Sequence, residues 1–298
     1  MFDTVAALHC GSHRLPLDRP RVMGIVNVTP DSFSDGGHHA STAAAVAHAL
    51  ALVEAGADLL DVGGESTRPG AEPVDEASEI ARVLPVIEAL VAKVAVPISV
   101  DTTKPGVMRA ALAAGAGMVN DVTALRTEGA LEAVAASKAA VVLMHMQGEP
   151  RTMQAAPHYE NVVGEVHRFL AERVFACEMA GIDKRRLVID PGFGFGKTLA
   201  HNLALLAQLR RFTELGVPVL AGLSRKSSLG EITGRAVDER LAASLAAHLM
   251  AVQNGAAIVR VHDVAETVDA LKVWAALAAV PVPRSRAAAP TLRWPGED

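Results

Sequence analysis

Acids, amides and basic side chains follow directly after short apolar runs in this chain, and these are the side chains that could do chemistry. Asp101 follows the run 98–100, and Asp190 follows the run 187–189. The residues in such positions are Asn27, Asp101, Asn120, Asp121, Met144, His145, Asp190, Ser224, Lys226, Arg260 and His262, together with the segment GGESTRPG at 63–70. If the runs are parallel strands, their carboxyl ends meet at one edge, so these side chains would share one cavity.

The mixture of side chains indicates what such a cavity would bind. Asp101 and Asp190 would accept hydrogen bonds from the amino groups of a planar heterocycle. Asn120 both donates and accepts, and the flat guanidinium of Arg260 stacks on aromatic rings as well as pairing with anions. Lys226 opens a helix after the seventh run, where barrels often bind phosphate. The residues therefore predict a flat, nitrogen-rich substrate that carries an anionic group.

A structural role is the alternative for any single one of these residues, because Asp and Asn after a strand often cap the next helix. Capping does not require a Lys, an Arg and several Asp or Asn side chains around one cavity. The complete set therefore favours a binding site.

Several familiar motifs fail on spacing. The segment GFGFGKT at 192–198 has proline where a Walker A loop has its first glycine, and it lacks the GxGxxG spacing. We predict instead that its glycines bring backbone close to the ligand while Phe193 and Phe195 form a pocket wall. His145 is predicted to be a histidine at the barrel rim rather than a zinc ligand. Ser224 lacks the nucleophile-elbow spacing of hydrolases.

Apolar runs alternate with helical patterns along the chain. The runs fall at 22–28, 59–62, 98–100, 118–119, 141–144, 187–189, 219–220 and 258–261, and the helical patterns at 42–55, 75–94, 105–114, 128–136, 162–180, 203–212, 240–253 and 264–277. Eight strand–helix units predict an α/β protein with a (β/α)8 TIM barrel. We expect one domain over 1–280, with a short N-terminal hairpin over 5–17 as a plug, and a disordered tail over 281–298.

Composition excludes other classes of protein. The net charge of -5 and the lack of a basic stripe argue against nucleic-acid binding, and no apolar run approaches the ~20 residues of a membrane span. Within the hairpin, we interpret His9, Cys10 and His13 as solvated residues rather than metal ligands. Cys10 and Cys177 are too few for a disulfide framework, so a reducing cytoplasm is expected.

Eight segments, in order, resemble the dihydropteroate synthase family. They are MGIVNVTPDSFSDGG, DVGGESTRPGA, SVDTTKPGVM, NDVTALR, LMHMQGEPRTMQ, IDPGFGFGK, GLSRKSSLG and RVHDV, and together they extend from Met23 to beyond His262. The chain departs from the family pattern only slightly, with Thr103 where Ser is common and Val122 where Ile is common. The resemblance implies a (β/α)8 transferase of folate biosynthesis that joins 6-hydroxymethyl-7,8-dihydropterin pyrophosphate to p-aminobenzoate and releases pyrophosphate.

The resemblance also assigns roles to residues. It implies that the pterin and its pyrophosphate are bound by Thr67, Asp101, Asn120, Val122, Met144, Asp190, Phe195, Gly222, Lys226, Arg260 and His262, and p-aminobenzoate by Asp31, Phe33, Arg68, Pro69 and Ser224. Asn27 would bind Mg2+, the expected cofactor. Asn27, Asp101, Lys226, Arg260 and His262 would carry the catalysis.

Rival readings remain open from the sequence. A pterin-dependent methyltransferase domain should lack SFSDGG and STRPGA, which are both present, and a non-catalytic pterin-binding homologue should not retain Asn27, Arg68, Lys226 and His262. The Ala- and Leu-rich helix over 241–252 suits a homodimer interface, but a helix that only covers the barrel would have the same composition.

Overall fold

A computed structural model describes residues 6–28, 37–66, 72–148, 153 and 156–280. Its strands are β1 Ala7–Cys10, β2 His13–Pro16, β3 Arg21–Asn27, β4 Leu59–Gly63, β5 Ile98–Asp101, β6 Met118–Asp121, β7 Ala140–Met144, β8 Leu187–Asp190, β9 Val219–Ala221 and β10 Ala256–Val261. Its helices are α1 Gly37–Glu54, α2 Glu76–Val91, α3 Pro105–Ala113, α4 Ala130–Ala135, α5 Val162–Met179, α6 Leu199–Ala207, α7 Ser227–Thr233, α8 Leu241–Gln253 and α9 Val264–Ala278.

Strands β3 to β10 form a closed parallel barrel. Each strand pairs with the next along the chain, and β10 closes the ring against β3. The predicted (β/α)8 barrel is therefore confirmed, and each of the eight predicted apolar runs lies within one of its strands, except that the first run extends one residue beyond β3. No helix in the described part of the chain is long and apolar enough to cross a membrane.

Side chains alternate between the inside of the barrel and the helix-covered outside. Along β6, Met118 packs in a cluster with residues from other barrel strands, whereas Val119 packs with residues from the helices. The same alternation divides the other strands, since successive side chains of a strand point to opposite faces. Asn120 therefore points into the barrel, as Met118 does. In each strand, every second side chain faces the interior, up to the carboxyl end.

The N-terminal hairpin plugs the opposite end of the barrel, as predicted. Leu8, Cys10 and Leu15 pack in the same interior cluster as Met23 and Leu59. Cys10 is fully buried, so its interpretation as a solvated residue was wrong. The hairpin alternates, and its Cys10 position faces the apolar barrel interior rather than water.

Ion pairs hold the chain between the hairpin and the first barrel strand. Asp58 accepts from Arg19 at 2.6 Å and from Arg21 at 2.9 Å, and it also accepts from the backbone N–H of Val22 at 3.0 Å. Such a network at the amino-terminal end of a barrel serves stability rather than chemistry.

Several helix boundaries differ from the sequence-based predictions, and two helix starts differ by four residues or more. α1 begins at Gly37 rather than at residue 42, and α6 begins at Leu199 rather than at residue 203. The early start of α6 has a local cause, because Thr198 accepts from the backbone of His201 while the His201 ring accepts from the backbone of Thr198. This reciprocal cap satisfies two amide groups at the helix start.

Candidate active site

The predicted site residues in the described part of the chain gather at the carboxyl ends of the barrel strands. The interior-facing positions at those ends are Asn27, Gly63, Asp101, Asn120, Met144, Asp190, Gly222 and Arg260. Barrel enzymes keep their chemistry at this end, because the loops there surround a shared opening.

Arg260 lies between two carboxylates. Its Nε donates to Asp61 Oδ2 at 2.6 Å, and its Nη2 donates to Asp101 Oδ2 at 2.7 Å. The Asp61 side chain is fully buried, whereas those of Asp101 and Arg260 are 10% and 22% exposed. The ion pairs therefore extend from the barrel interior up to its opening. Arg260 connects Asp61 in the interior with Asp101 at the opening.

Gly222 lies beside both Asp190 and Arg260 at the opening. A Cβ atom added at Gly222 would lie 3.9 Å from Asp190 Oδ2 and 4.0 Å from Arg260 Cβ. Any side chain there would enter the space between the acid and the base. Asp190 Oδ1 accepts from the Gly192 backbone at 2.7 Å, which fixes the orientation of its carboxylate.

An apolar wall adjoins these polar groups. Val122, Met144, Met146, Met153 and Phe195 form a separate buried cluster. The Nζ atom of Lys226 lies 4.2 Å from the centre of the Phe195 ring, which is a cation–π distance. Phe193 does not join this wall, because its side chain packs in the main core between barrel and helices. The prediction that both phenylalanines line the pocket was wrong for Phe193, and for Phe195 it stays a prediction.

The loop that presents Phe195 lies very close to the end of β7. A Cβ at Gly192 would lie 1.9 Å from the His145 carbonyl oxygen, and one at Gly196 would lie 2.4 Å from the Gln147 carbonyl oxygen, and both glycines have positive φ. Only glycine permits this approach together with the left-handed backbone. Gly192 and Gly196 of GFGFGKT thus serve close packing against the backbone that follows β7, whereas the sequence predicted an approach to the ligand.

Lys197, in the segment that lacks the Walker spacing, is a buried lysine with no role predicted from the sequence. Its Nζ lies 3.0 Å from His145 Nδ1 and donates to the Phe195 carbonyl at 3.0 Å. Burial lowers the pKa of Lys197 to about 7, and burial followed by the Lys197 charge lowers the pKa of His145 to about 2. His145 is therefore a neutral acceptor at the rim, which agrees with the structural role predicted for it.

Ser224 and His262 meet at the ends of β9 and β10. Ser224 Oγ lies 2.9 Å from His262 Nδ1 and accepts from the His262 backbone at 3.2 Å. Arg225, in the left-handed region at φ 57°, also spans this gap with an ion pair to Asp263. The loop carrying Ser224 and Lys226 is thus tied to the end of the last strand.

One face of α8 supports that loop from behind. Ser244 Oγ accepts from the Arg225 backbone N–H at 3.0 Å, and His248 Nε2 accepts from the Leu223 backbone N–H at 3.4 Å. Arg240, four residues before Ser244, donates to the Arg225 carbonyl at 3.1 Å. Burial lowers the pKa of His248 to about 4, so the ring is neutral and accepts. Positions four residues apart share a helix face, and this face holds the loop backbone.

Burial also shifts the acids of the site. It raises the pKa of Asp101 to about 7, opposed by the nearby charge of Arg260, and it raises the pKa of Asp190. Buried carboxyl groups favour the neutral form unless cations compensate. The cations of the opening therefore decide whether these acids are ionised.

Some predicted residues have a different position or cannot be placed. Asp121 does not face the opening, because alternation along β6 puts it on the outer side and it accepts from Thr123 and Leu125 in the following turn. The predicted residues Asp31, Phe33, Thr67, Arg68 and Pro69 lie outside the described residues. Asp61 was missed, although an acid inside the apolar strand LLDVG was a visible signal.

Comparison with known proteins agrees with this geometry. A model of the pterin binding enzyme family matches residues 23–262. The dihydropteroate synthase of Escherichia coli strain K12 is 53% identical over 259 residues, which cover 87% of this chain and 92% of that protein. The chain belongs to the dihydropteroate synthase family. Membership makes it a transferase of folate biosynthesis.

Solved structures of the family have the same fold. The Xanthomonas albilineans dihydropteroate synthase with 4-aminobenzoic acid is 67% identical, with a TM-score of 0.89, and the match covers 93% of this chain and 100% of that one. The same enzyme in complex with 7,8-dihydropteroate is 65% identical, with a TM-score of 0.85 and coverage of 92% and 100%. The resemblance seen in the eight sequence segments is confirmed.

Proposed function

We propose that the interior-facing residues at the carboxyl ends of the strands are where this chain joins 6-hydroxymethyl-7,8-dihydropterin pyrophosphate to p-aminobenzoate. The observation that supports this most is the space at Gly222, bordered by Asp190 and Arg260. It adjoins acceptors for a ring rich in N–H groups and a basic group for its pyrophosphate. The relatives crystallised with 4-aminobenzoic acid and with 7,8-dihydropteroate support the same pair of ring systems.

Each group in the opening has a proposed role in holding the pterin. Asn120, Asp190 and Lys226 hydrogen-bond the ring, and Arg260 lies on its face. The slot itself is formed by Val122, Met144, Phe195 and Gly222, and Asp101 lies at its edge. Flat apolar walls with a few fixed polar groups are what planar ligands require.

The reaction breaks the bond between the pterin methylene carbon and the pyrophosphate oxygen, and the electron pair leaves with pyrophosphate. The methylene left behind is a cation delocalised over the ring, and the Asp101 carboxylate stabilises it electrostatically. The amine nitrogen of p-aminobenzoate then bonds to that carbon and releases a proton to water. An aniline amine is a free nucleophile near neutral pH, so the site needs no general base.

The leaving pyrophosphate is held by Thr67, Arg260 and His262, and p-aminobenzoate by Asp31, Phe33, Arg68, Pro69 and Ser224. In the described structure, His262 is already fixed by Ser224. Basic groups around a leaving phosphate neutralise the charge that develops on it.

We also propose that Asn27 binds Mg2+. Asn27 is a half-buried amide at the interior end of β3, and its oxygen is a hard ligand of the kind Mg2+ prefers. Among the described residues, no three His, Cys, Asp or Glu side chains could hold a metal ion together. Bound Mg2+ would neutralise charge on the pyrophosphate.

A product assay in the presence and absence of metal tests this function. With Mg2+, chromatography should show dihydropteroate and pyrophosphate forming in equal amounts. After EDTA treatment, turnover should fall by about tenfold or more, and pyrophosphate should bind more weakly while the pterin alcohol binds as before. Pterin binding without condensation would refute the proposed reaction. Full activity in metal-free enzyme would refute the proposed role of Mg2+.

A homodimer and a cytoplasmic location complete the proposal. Neighbouring helices α8 and α9 expose Met250, Val273 and Leu277, each more than half accessible, and a second copy would cover them. Cys10 and Cys177 are both buried free thiols, which suits a reducing compartment. Sedimentation tests the first statement, and cell fractionation with an antibody tests the second.

A further inference from the structure

Asp61 lies within the barrel, one interior position below the opening. It occupies the middle of β4, and its side chain is fully buried. Its Oδ2 atom accepts from Asn120 Nδ2 at 2.9 Å and from Arg260 Nε at 2.6 Å. One buried oxygen thus contacts two residues of the proposed pterin site.

The contact with Asp61 determines which end of the Asn120 amide faces a ligand. Asp61 Oδ2 accepts this hydrogen bond, so the amide turns its Nδ2 toward Asp61. Its Oδ1 then points away from Asp61 and is the atom that a ligand can meet. Asn120, which could in principle turn either end of its amide toward a ligand, therefore presents its acceptor Oδ1 on the side away from Asp61, and Asp61 occupies one of the two hydrogens of Nδ2.

The contact with Arg260 fixes a plane. Asp61 holds Nε and Asp101 holds Nη2, so two of the three guanidinium nitrogens are tied to separate strands. A planar group held at two nitrogens cannot rotate about its terminal bond. The face that Arg260 offers to a flat ring is set by Asp61 as much as by Asp101.

The fold itself gains little from this carboxylate. In the described part of the chain, Asp61 Oδ1 has no hydrogen-bond partner. The same is true of the Oγ atom of Ser99, the residue of β5 that pairs with Asp61. A buried acid with one unsatisfied oxygen weakens folding rather than supporting it. Because Asp61 does not stabilise the fold, we expect it to serve the binding site.

We infer that Asp61 is a positioning residue that sets ring specificity, by making Asn120 an acceptor and by orienting Arg260. This rests on the proposed pterin site and adds a selection rule to it. The ring edge that meets Asn120 must carry an N–H donor, as the lactam or amino groups of a pterin do. A heterocycle with an acceptor at that edge is rejected because two oxygens or an oxygen and a ring nitrogen would face each other.

The test measures affinity for 6-hydroxymethyl-7,8-dihydropterin by calorimetry in full-length variants. Asp61→Ala removes the acceptor and should weaken binding by about 10- to 100-fold. Asp61→Asn can place its amide oxygen at the Oδ2 position, so it should recover most of that loss. In an Asn120→Ala background, Asp61→Ala should reduce pterin affinity by a smaller factor than it does in wild type, because part of its effect depends on Asn120.

Glu79→Ala is the matched control. Glu79 is also a fully buried carboxylate with one oxygen lacking a partner among the described residues, but its hydrogen bond is to Lys104 at 2.6 Å rather than to Asn120 or Arg260. It should lower the melting temperature while leaving pterin affinity within about twofold of wild type. The comparison separates positioning from general loss of stability.

Several outcomes would overturn the inference. Asp61→Ala binding the pterin as wild type does, or Asp61→Asn binding as weakly as Asp61→Ala, would contradict it. Asp61→Ser repeats the deletion if Asp61→Ala does not fold, and failure of both to fold would assign Asp61 to the fold instead. Wild-type protein that does not bind the pterin would instead refute the proposed function.

Discussion

At the scale of single residues, Asp101 has the most finely balanced charge in the site. Burial favours its neutral form, while Arg260 at 2.7 Å favours the ionised form that the proposed reaction requires. The net effect raises its pKa to about 7. The proposed reaction needs the carboxylate form of Asp101, whereas burial in the barrel favours the neutral acid. The charge of Arg260 makes ionisation possible near neutral pH.

The balance at Asp101 predicts opposite pH dependences for activity and stability. A folded-state pKa above the ordinary value of ~3.9 means that the folded protein binds this proton more tightly. The contribution of Asp101 to stability is thus fully present below about pH 4 and is lost as the pH rises through about 7, at ~1.4 kcal/mol for each unit of pKa difference. Turnover should rise over the same range.

Urea unfolding of wild type and Asp101→Asn from pH 4 to pH 8 measures this. The free energy of unfolding of wild type, minus that of the variant, should decrease as the pH increases. A difference that stays constant, or that increases with pH, would show that Arg260 outweighs burial and that Asp101 is ionised throughout.

Residues of the site differ in how far the sequence could predict them. Asp101, Asn120 and Asp190 follow apolar runs and Arg260 lies near the end of one, and period-two alternation brings all of them to the barrel interior. Asp121 also ended a run, but one step along a strand reverses its face. Asp61 and Lys197 were missed because their partners, 59 and 52 residues away, become neighbours only when the barrel closes.

At the scale of elements, strands were easier to predict than helix ends. Fully buried parallel strands give continuous apolar runs, which punctuation delimits clearly. Helix starts depend on individual caps, such as Thr198 with His201, and on backbone contacts that composition does not reveal. The support of the Ser224 loop by α8 could not be predicted either, since Arg240, Ser244 and His248 look like ordinary positions of an Ala-rich helix.

Helices α8 and α9 carry a prediction about assembly. Their exposed apolar side chains should be covered in a homodimer, because burying each large one contributes roughly 1.5–3 kcal/mol. Sedimentation should give twice the chain mass of 31.0 kDa. Val273→Lys combined with Leu277→Lys should give a monomer, whereas Phe175→Lys, an equally exposed apolar position on α5, should not. A wild-type monomer, or dissociation by the α5 variant alone, would contradict the proposed interface.

At the scale of the whole molecule, the barrel separates stability from chemistry between its two ends. The amino-terminal end is closed by the apolar packing of the hairpin and by the ion pairs of Asp58 with Arg19 and Arg21. The carboxyl end holds the shifted acids, the buried cations and the glycine-lined space at Gly222. This division is usual for barrel enzymes, because loops at one end can vary while the other end maintains the fold.

The proposed function requires the pterin to lie between Asp190 and Arg260, and calorimetry of Asp190→Ala tests that most directly. Loss of this acceptor would leave N–H donors of the ring without partners in a buried slot, which costs roughly 1–3 kcal/mol or about 5- to 150-fold in affinity. Asp269→Ala, at an exposed acid on α9, is the control and should bind as wild type does. We predict a loss of pterin affinity within that range in Asp190→Ala, and an unchanged dissociation constant would contradict the proposed site.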